Sequence, residues 1–148
     1  MSRTSRPEAW DLYFRGLAEA AALLSRDKTT KLGAVVVRDR VVLATGFNGF
    51  PRGVWGADEK RYERPEKYFW TEHAERNAIY CAARVGHALQ GGTLYCRWLP
   101  CVDCARAVIQ AGIQEIVYWE GTPERWAENM ERSWAMFKET GTRVRRLA

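Results

Sequence analysis

The sequence predicts an α/β fold in which a mixed sheet of about five strands is covered by helices on both faces. Two short β-branched segments, 31–38 and 41–47, flank a two-residue turn and predict an antiparallel hairpin. After residue 70, short apolar strands alternate with helical patterns. The chain has 148 residues, the length of one domain. A domain of that size buries roughly 70% of the surface of its unfolded chain.

The first half of the chain contains one helix, the hairpin and a long loop. A helix is predicted from Pro7 to Arg26, because apolar side chains recur every three or four residues from Trp10 to Leu24. Residues 48–70 lack a steady period and contain three glycines and two prolines, which predicts a loop with one short helical turn. Its six aromatic residues favour an ordered loop, since disordered segments contain few aromatic residues.

The second half alternates helices with strands. Thr71 is the predicted N-cap of a helix that runs to Val85. Gly112 and Gly141 are the predicted stops of two later helices. The remaining predicted elements, in order, are strand 93–96, helix 101–111, strand 114–119, helix 122–140 and strand 142–147.

Composition and charge limit the class of protein. The net charge of +5 is compatible with a nucleic-acid partner and equally with a small phosphorylated substrate, and no long basic run decides between them. Residues 1–6 are charged without an apolar segment behind them, so neither a signal peptide nor a membrane span is expected. Four cysteines also fit a reducing compartment better than a disulfide framework. The predicted location is the cytoplasm, with no membrane partner.

Two short motifs carry the chemistry, namely His73-Ala-Glu75 and Pro100-Cys101-Val-Asp-Cys104. One His and a Cys-x-x-Cys pair supply three metal ligands, and the Glu supplies a proton carrier, so the fourth metal position is left open as in catalytic zinc sites. Residues two apart do not face each other within a helix, so His73 and Glu75 are expected to straddle a helix start. Cys101 and Cys104 share one face of the turn after Pro100. Two helix N-termini are therefore predicted to converge on one ion.

A structural zinc or a buried thiol pair is the alternative interpretation of these cysteines. A closed zinc site needs a fourth protein ligand, and Cys81 and Cys96 do not form a second Cys-x-x-Cys pair. A structural site also gives Glu75 no role. His-x-Glu followed by Pro-Cys-x-x-Cys is the known signature of zinc-dependent nucleobase deaminases, so the catalytic interpretation is favoured.

With these motifs in place, the chain resembles the cytidine and deoxycytidylate deaminase superfamily, and within it the dCMP deaminase branch. The resemblance covers roughly residues 24–118. Segment 46–53, Gly-Phe-Asn-Gly-Phe-Pro-Arg-Gly, is the most specific for this branch. Phe47 departs from the Tyr that the branch commonly has, and the stretch Thr71-Glu72 before the His is more polar than the Val that many members carry. The other matching segments are 33–37, 73–79, 93–95 and 110–113.

The resemblance implies a three-layer α/β/α cytidine deaminase-like fold over residues 1–148 as a single domain. It implies hydrolytic deamination of dCMP to dUMP with release of ammonia, a reaction that supplies dUMP for thymidylate synthesis. Zn²⁺ would be held by His73, Cys101 and Cys104, with Glu75 carrying protons to the ring and to the leaving nitrogen.

Substrate contacts follow in part from the resemblance. It implies that Asn48 hydrogen-bonds the nucleoside and that the backbone amide of Ala74 donates to the base. Asn48 before Gly49 is also a common turn-forming pair. Arg26 and Tyr118 are assigned to the 5′-phosphate from their places beside a helix end and a strand end near the motif loops, although a solvated surface Arg is the default for Arg26.

Regulation and assembly are further implications of the resemblance. Several dCMP deaminases are switched by dCTP and dTTP through a site involving segment 46–53, and they assemble as hexamers. The expected partners are therefore a small nucleotide substrate, dCTP and dTTP as candidate effectors, and further copies of the chain in a homo-oligomer. The seven Trp residues suit buried subunit contacts or the core.

Other functions remain open at this point. A nucleic-acid deaminase acting on tRNA or single-stranded DNA uses the same zinc chemistry, and a free-base or purine deaminase does too, because the shape of the pocket selects the ring. The branches of nucleic-acid deaminases usually carry different loop segments in place of 46–53. A non-catalytic zinc module that binds nucleic acid belongs to another class, and in such a module Glu75 would have no function.

Overall fold

The computed structural model describes residues 5–56 and 58–148. Two single 3-10 turns span Glu59–Tyr62 and Glu124–Trp126. The helices and strands are α1 (Ser5–Ala22), β1 (Gly33–Arg38), β2 (Val41–Phe47), α2 (Lys67–Trp70), α3 (Ala74–Val85), β3 (Thr93–Cys96), α4 (Val102–Gln110), β4 (Glu115–Tyr118), α5 (Ala127–Thr140) and β5 (Arg143–Arg146).

The five strands form one mixed sheet in the order β2-β1-β3-β4-β5. Strand β1 is antiparallel to β2 and β3, whereas β3, β4 and β5 are mutually parallel. Side chains of β1 alternate between the faces, so Val35 and Val37 pack under α1 with Phe14, while Val36 joins the core on the α3 and α4 side with Leu94. Helices therefore cover both faces, which confirms the predicted three-layer α/β/α fold.

The predicted hairpin is confirmed. Arg38 pairs with Val41, so Asp39 and Arg40 alone form the turn. Both turn residues have positive φ, 52° and 62°, as a type I′ turn requires. The register shifts between Val36 and Val37, where a bulge interrupts the ladder.

Two helix boundaries differ from the prediction. Helix α1 ends at Ala22, not at Arg26, and Ser25 instead donates its hydroxyl to the carbonyl of Asn48 (2.8 Å). The prediction of Thr71 as an N-cap is wrong. Thr71 is extended and ends α2, and the next residue, Glu72, pairs with Gly49 through two backbone hydrogen bonds, which keep this stretch out of the helix.

Segment 48–70 is a long connection, as predicted, but it contains two helical turns where one was expected: the 3-10 turn and α2. The sequence predicts the last helix from residue 122, whereas a 3-10 turn occupies Glu124–Trp126 and α5 begins at Ala127. The remaining predicted elements are present with boundaries shifted by three residues or fewer. Gly141 ends α5 in the left-handed conformation, as predicted (φ 69°). In the described part of the chain, each helix is too short or too polar to cross a bilayer.

Candidate active site

The start of α3 positions His73 and Glu75. His73 is the N-cap residue, with extended backbone, and Glu75 lies in the first helical turn. Glu72 accepts a hydrogen bond from the backbone amide of His73 through its carboxylate (3.0 Å). The change from extended to helical backbone at His73 turns two side chains that are two residues apart toward the same place, so the predicted straddling of a helix start is confirmed.

The start of α4 positions the two cysteines. Cys101 is the N-cap residue, Cys104 lies in the first turn, and the buried Pro100 precedes them. The first amide of the helix, that of Val102, donates to the side-chain oxygen of Asn129 on α5 (2.8 Å). Helix α5 therefore caps the turn that carries the cysteines.

The two helix starts bring three ligand atoms together. Nδ1 of His73 lies 3.4 Å from Sγ of Cys101 and 3.5 Å from Sγ of Cys104. A tetrahedral zinc with Zn–N of about 2.0 Å and Zn–S of about 2.3 Å places nitrogen and sulfur about 3.5 Å apart. The three residues therefore fit a zinc ion. Oε2 of Glu75 lies 3.4 Å from Sγ of Cys104.

Burial and hydrogen bonding shift the protonation of these groups. Burial raises the pKa of Glu75 above its ordinary value. Hydrogen bonds with Cys104 and then with His73 lower the pKa of Cys101 to about 4, whereas the hydrogen bond with Cys101 and burial raise the pKa of Cys104, so the thiolate is favoured at Cys101. A thiolate is the form of cysteine that binds metals, and a carboxyl with a raised pKa suits proton transfer near neutral pH.

A cavity opens over this group of residues. It has an aromatic wall, in which the indole N–H of Trp98 donates to the carboxylate of Glu120 (2.6 Å), and that carboxylate also accepts from Arg97 (2.7 Å). The lining includes some residues from each of four segments, namely 27–32, 64–71, 98–101 and 122–130. The lining residues are Asp27, Thr30, Leu32, Asn48, Arg64, Lys67, Tyr68, Thr71, His73, Glu75, Trp98, Leu99, Cys101, Thr122, Arg125, Trp126 and Met130.

One of the two substrate contacts that the resemblance implies lines this cavity. Asn48 lines it and is buried, and its side-chain amide bonds both Thr30 and Leu32. Ala74 is buried and is not among the described residues that line the cavity. It is the first residue of α3, so its amide N–H has no acceptor within the helix.

Arg26 and Tyr118 lie elsewhere. Arg26 is exposed and lines a neighbouring cavity with Phe50 and Tyr62, which shares Asn48 with the cavity above the metal ligands. Tyr118 is at the end of β4, with the guanidinium of Arg146 over its ring (5.9 Å), and it is not among the described residues that line the cavity.

Sequence reasoning missed several charged residues of the cavity. Arg64 and Arg125 are exposed at its rim, and among residues 5–56 and 58–148 neither has a salt-bridge partner. Lys67 and Asp27 form a buried ion pair in its wall. Lys67 and Arg64 lie in the segment predicted as a loop, and the aromatic content of that segment indicated only that it is ordered.

Comparisons with known proteins give consistent results. The profile of the family described as the cytidine and deoxycytidylate deaminase zinc-binding region matches residues 8–120. An uncharacterized deaminase from the luxG 3′ region of Aliivibrio fischeri is 36% identical over 138 residues, 91% of each chain. The deoxycytidylate deaminase of Mycobacterium phage D29 is 39% identical over 127 residues, which cover 77% of this chain and 96% of the phage protein. The dCMP deaminase of cyanophage S-TIM5, solved in complex with dCMP and dUMP, superposes with a TM-score of 0.78 at 28% identity, covering 96% of this chain and 98% of that one.

Proposed function

The chain belongs to the cytidine and deoxycytidylate deaminase zinc-binding family, and from this premise we propose that it hydrolyses dCMP to dUMP and ammonia. The observation that carries the proposal is the group of three ligand atoms, within 4.8 Å of one another, beside a buried carboxyl at the bottom of a cavity. The likeness to a cyanophage dCMP deaminase solved with dCMP and dUMP supports the choice of substrate.

In the proposed mechanism, His73, Cys101 and Cys104 would hold Zn²⁺, which when bound would make a water molecule nucleophilic at neutral pH. Glu75 takes the proton of that water and delivers it to ring N3 as the new oxygen bonds to C4. Glu75 then moves the remaining proton of the added hydroxyl group to the exocyclic nitrogen. The C4–N bond breaks, ammonia leaves, and C4 keeps the oxygen of dUMP.

The residues around the metal ligands orient the base and the sugar. The Ala74 amide, which has no helical acceptor, donates to the base carbonyl. The side-chain oxygen of Asn48 accepts from the amide of Leu32 (2.8 Å), and one of its side-chain N–H groups donates to the carbonyl of Thr30 (2.9 Å). A carboxamide has a second N–H, and in the proposed complex this donor contacts the nucleoside.

The nucleotide phosphate is assigned to the rim of the cavity. Arg64 and Arg125 reach the rim from two separate segments, whereas the charge of Lys67 is compensated by Asp27. An arginine fork matches the geometry of a phosphate. Arg26 and Tyr118 remain proposed phosphate contacts, and Tyr118 is the weaker assignment because it is not among the described residues that line either cavity.

The phosphate assignment predicts a substrate-dependent effect. Arg125→Ala should raise KM for dCMP about tenfold, the loss of roughly one charge-assisted contact. KM for deoxycytidine, which has no phosphate, should stay within about twofold of wild type. Steady-state kinetics on both substrates measure this. Arg132→Ala, an exposed arginine of α5 paired with Glu128, is the matched control. Equal changes in KM for the two substrates would contradict the assignment.

The proposed activity is tested by ammonia release from dCMP, CMP, deoxycytidine, dAMP, guanine and a cytosine-containing oligonucleotide. We expect dCMP to have the highest kcat/KM of these compounds, and one at least about 100-fold above that of deoxycytidine, since a site built to bind a phosphate rejects an analogue without it. Turnover only of the oligonucleotide or of a purine would keep the zinc chemistry and overturn the substrate. Silence on every compound with zinc bound would overturn the enzymatic function.

We also propose a homo-oligomer, with dCTP and dTTP as effectors. Trp55 and Phe69 are 78% and 81% exposed, an arrangement that suits contact with another copy. The neighbouring cavity includes Phe47, Asn48, Gly49 and Phe50 and is the proposed effector site. The free cysteines are consistent with the cytoplasm as the proposed location.

A further inference from the structure

We propose that Lys67 is a positioning residue for the nucleotide, because its buried ammonium holds the turn on which the side chain of Asn48 rests. The proposal rests on the proposed function for its substrate. The contacts that carry it involve Asp27, Thr30 and the two residues named, and all four line the cavity.

The ion pair of Lys67 and Asp27 lies in the wall of the cavity. Their side chains are 8% and 9% exposed. Nζ of Lys67 donates to Oδ2 of Asp27 (3.2 Å) and to the hydroxyl of Thr29 (3.1 Å). A buried ammonium without a carboxylate is strongly disfavoured. Each member of the pair therefore holds the other in one position.

Asp27 transmits this constraint to the backbone. Its Oδ1 accepts hydrogen bonds from the amides of Thr29 and Thr30, both 2.9 Å long. These bonds close a tight turn over residues 27–30. The turn therefore fixes the orientation of the carbonyl group of Thr30, its last residue.

That carbonyl orients Asn48. Nδ2 of Asn48 donates to the oxygen of Thr30 (2.9 Å), and Oδ1 accepts from the amide of Leu32 (2.8 Å). With both of these atoms engaged, rotation of the carboxamide would break two hydrogen bonds. The direction of the second N–H toward the nucleoside is therefore set by the 27–32 segment and, through Asp27, by Lys67.

Lys67 also connects this support to the metal ligands. It begins α2, six residues before His73. Between them, Glu72 pairs with Gly49, the residue after Asn48, through backbone hydrogen bonds of 3.1 and 2.8 Å. Asn48 is thus held on one side by the 27–32 segment and on the other, through Gly49, by the extended residue Glu72 before α3. Lys67 joins these two supports, so it fixes the distance between the nucleoside contact and the reacting ring.

A second lysine provides a matched control. Lys28 pairs with Glu59, so it joins the same turn to the same long connection, but its side chain is 64% exposed and that of Glu59 is 68% exposed. Exposed ion pairs contribute little. Lys28→Met therefore also removes one positive charge, at the residue next to Asp27, but it leaves no buried carboxylate without its ion-pair partner.

The test compares Lys67→Met with Lys28→Met in zinc-loaded protein. Lys67→Met should raise KM for dCMP about tenfold or more while kcat changes less than about threefold, since it disturbs binding and not proton transfer. Zinc content should stay at one ion per chain. In ¹H–¹⁵N correlation spectra of the substrate-free protein, the side-chain amide signals of Asn48 should shift in Lys67→Met and stay in place in Lys28→Met.

An unchanged Asn48 amide signal together with KM within about twofold of wild type would overturn the proposal. So would a fall in zinc content that accounts for the whole loss of activity. If Lys67→Met does not fold, Thr29→Val removes one acceptor of the ammonium at constant shape. It should move the same Asn48 signal and raise KM about threefold, and no change in either would overturn the proposal. If wild-type protein does not turn over dCMP, the proposed function fails, and the Asn48 signal still decides the role of Lys67.

Discussion

Glu75→Gln should keep its zinc and lose kcat for dCMP by about 10³-fold or more, the upper part of the range for a general acid–base residue. The glutamine has the same shape but cannot take up and release a proton. Glu75 is 8% exposed, and its Oε2 lies 3.4 Å from Sγ of Cys104, so water has little room to replace the carboxylate. Zinc content by atomic emission and kcat by ammonia release measure the two halves of the prediction.

Glu128→Gln is the control for this variant. Glu128 is an exposed carboxylate on α5, paired with Arg132, and its loss should leave kcat within about twofold of wild type because surface ion pairs contribute little. Near-normal turnover in Glu75→Gln would disprove proton transfer by this residue. Loss of zinc from Glu75→Gln would show instead that the carboxyl supports the metal ligands.

The metal group could be predicted because its signals are local. The spacing of His73 and Glu75 and the Cys-x-x-Cys pair each describe one helix start, and the structure brings both starts together with the expected atoms facing each other. The hairpin turn was predictable for the same reason, since two residues between two β-branched segments leave few backbone solutions.

The parts of the site that escaped prediction depend on long-range packing. Thr71 has the side chain of a helix cap, but pairing of the adjacent Glu72 with Gly49, 23 residues earlier, keeps the chain extended. Lys67 is of a type that is almost always exposed. Its burial follows from Asp27, 40 residues away, and one sequence does not reveal such a pair.

The same limit applies to Asn48. The pair Asn48-Gly49 suggested either a turn or a ligand contact, and the structure shows that the carboxamide supports the 27–32 segment. The two interpretations are compatible, because a carboxamide has one more donor than these contacts use. A residue can thus have a structural role that orients it for a functional one.

Loss of zinc should lower turnover of dCMP at least as much as Glu75→Gln does, and it should lower the Tm as well. Cys101→Ser should contain less than about a tenth of an ion per chain and show no measurable turnover, since removal of one of three protein ligands leaves too few to hold the metal. Chelation of the wild-type protein should also lower its Tm by about 10 °C. A ligand present at about 1,000 times its Kd stabilises the folded state by about 4 kcal/mol, and each 1 kcal/mol corresponds to about 2–4 °C in a domain of this size.

Cys81→Ser separates loss of a metal ligand from loss of a thiol. Cys81 is a free, partly buried cysteine on α3, the helix that begins beside His73, and it lies outside the group of ligand atoms. Its variant should keep zinc, turnover and the chelator-sensitive Tm. Zn²⁺ should restore activity to chelated wild type and not to Cys101→Ser. A Cys101→Ser protein with full zinc and activity would remove Cys101 from the site. Zinc without turnover in Glu75→Gln, beside the loss of both in Cys101→Ser, would assign proton transfer and metal binding to different residues.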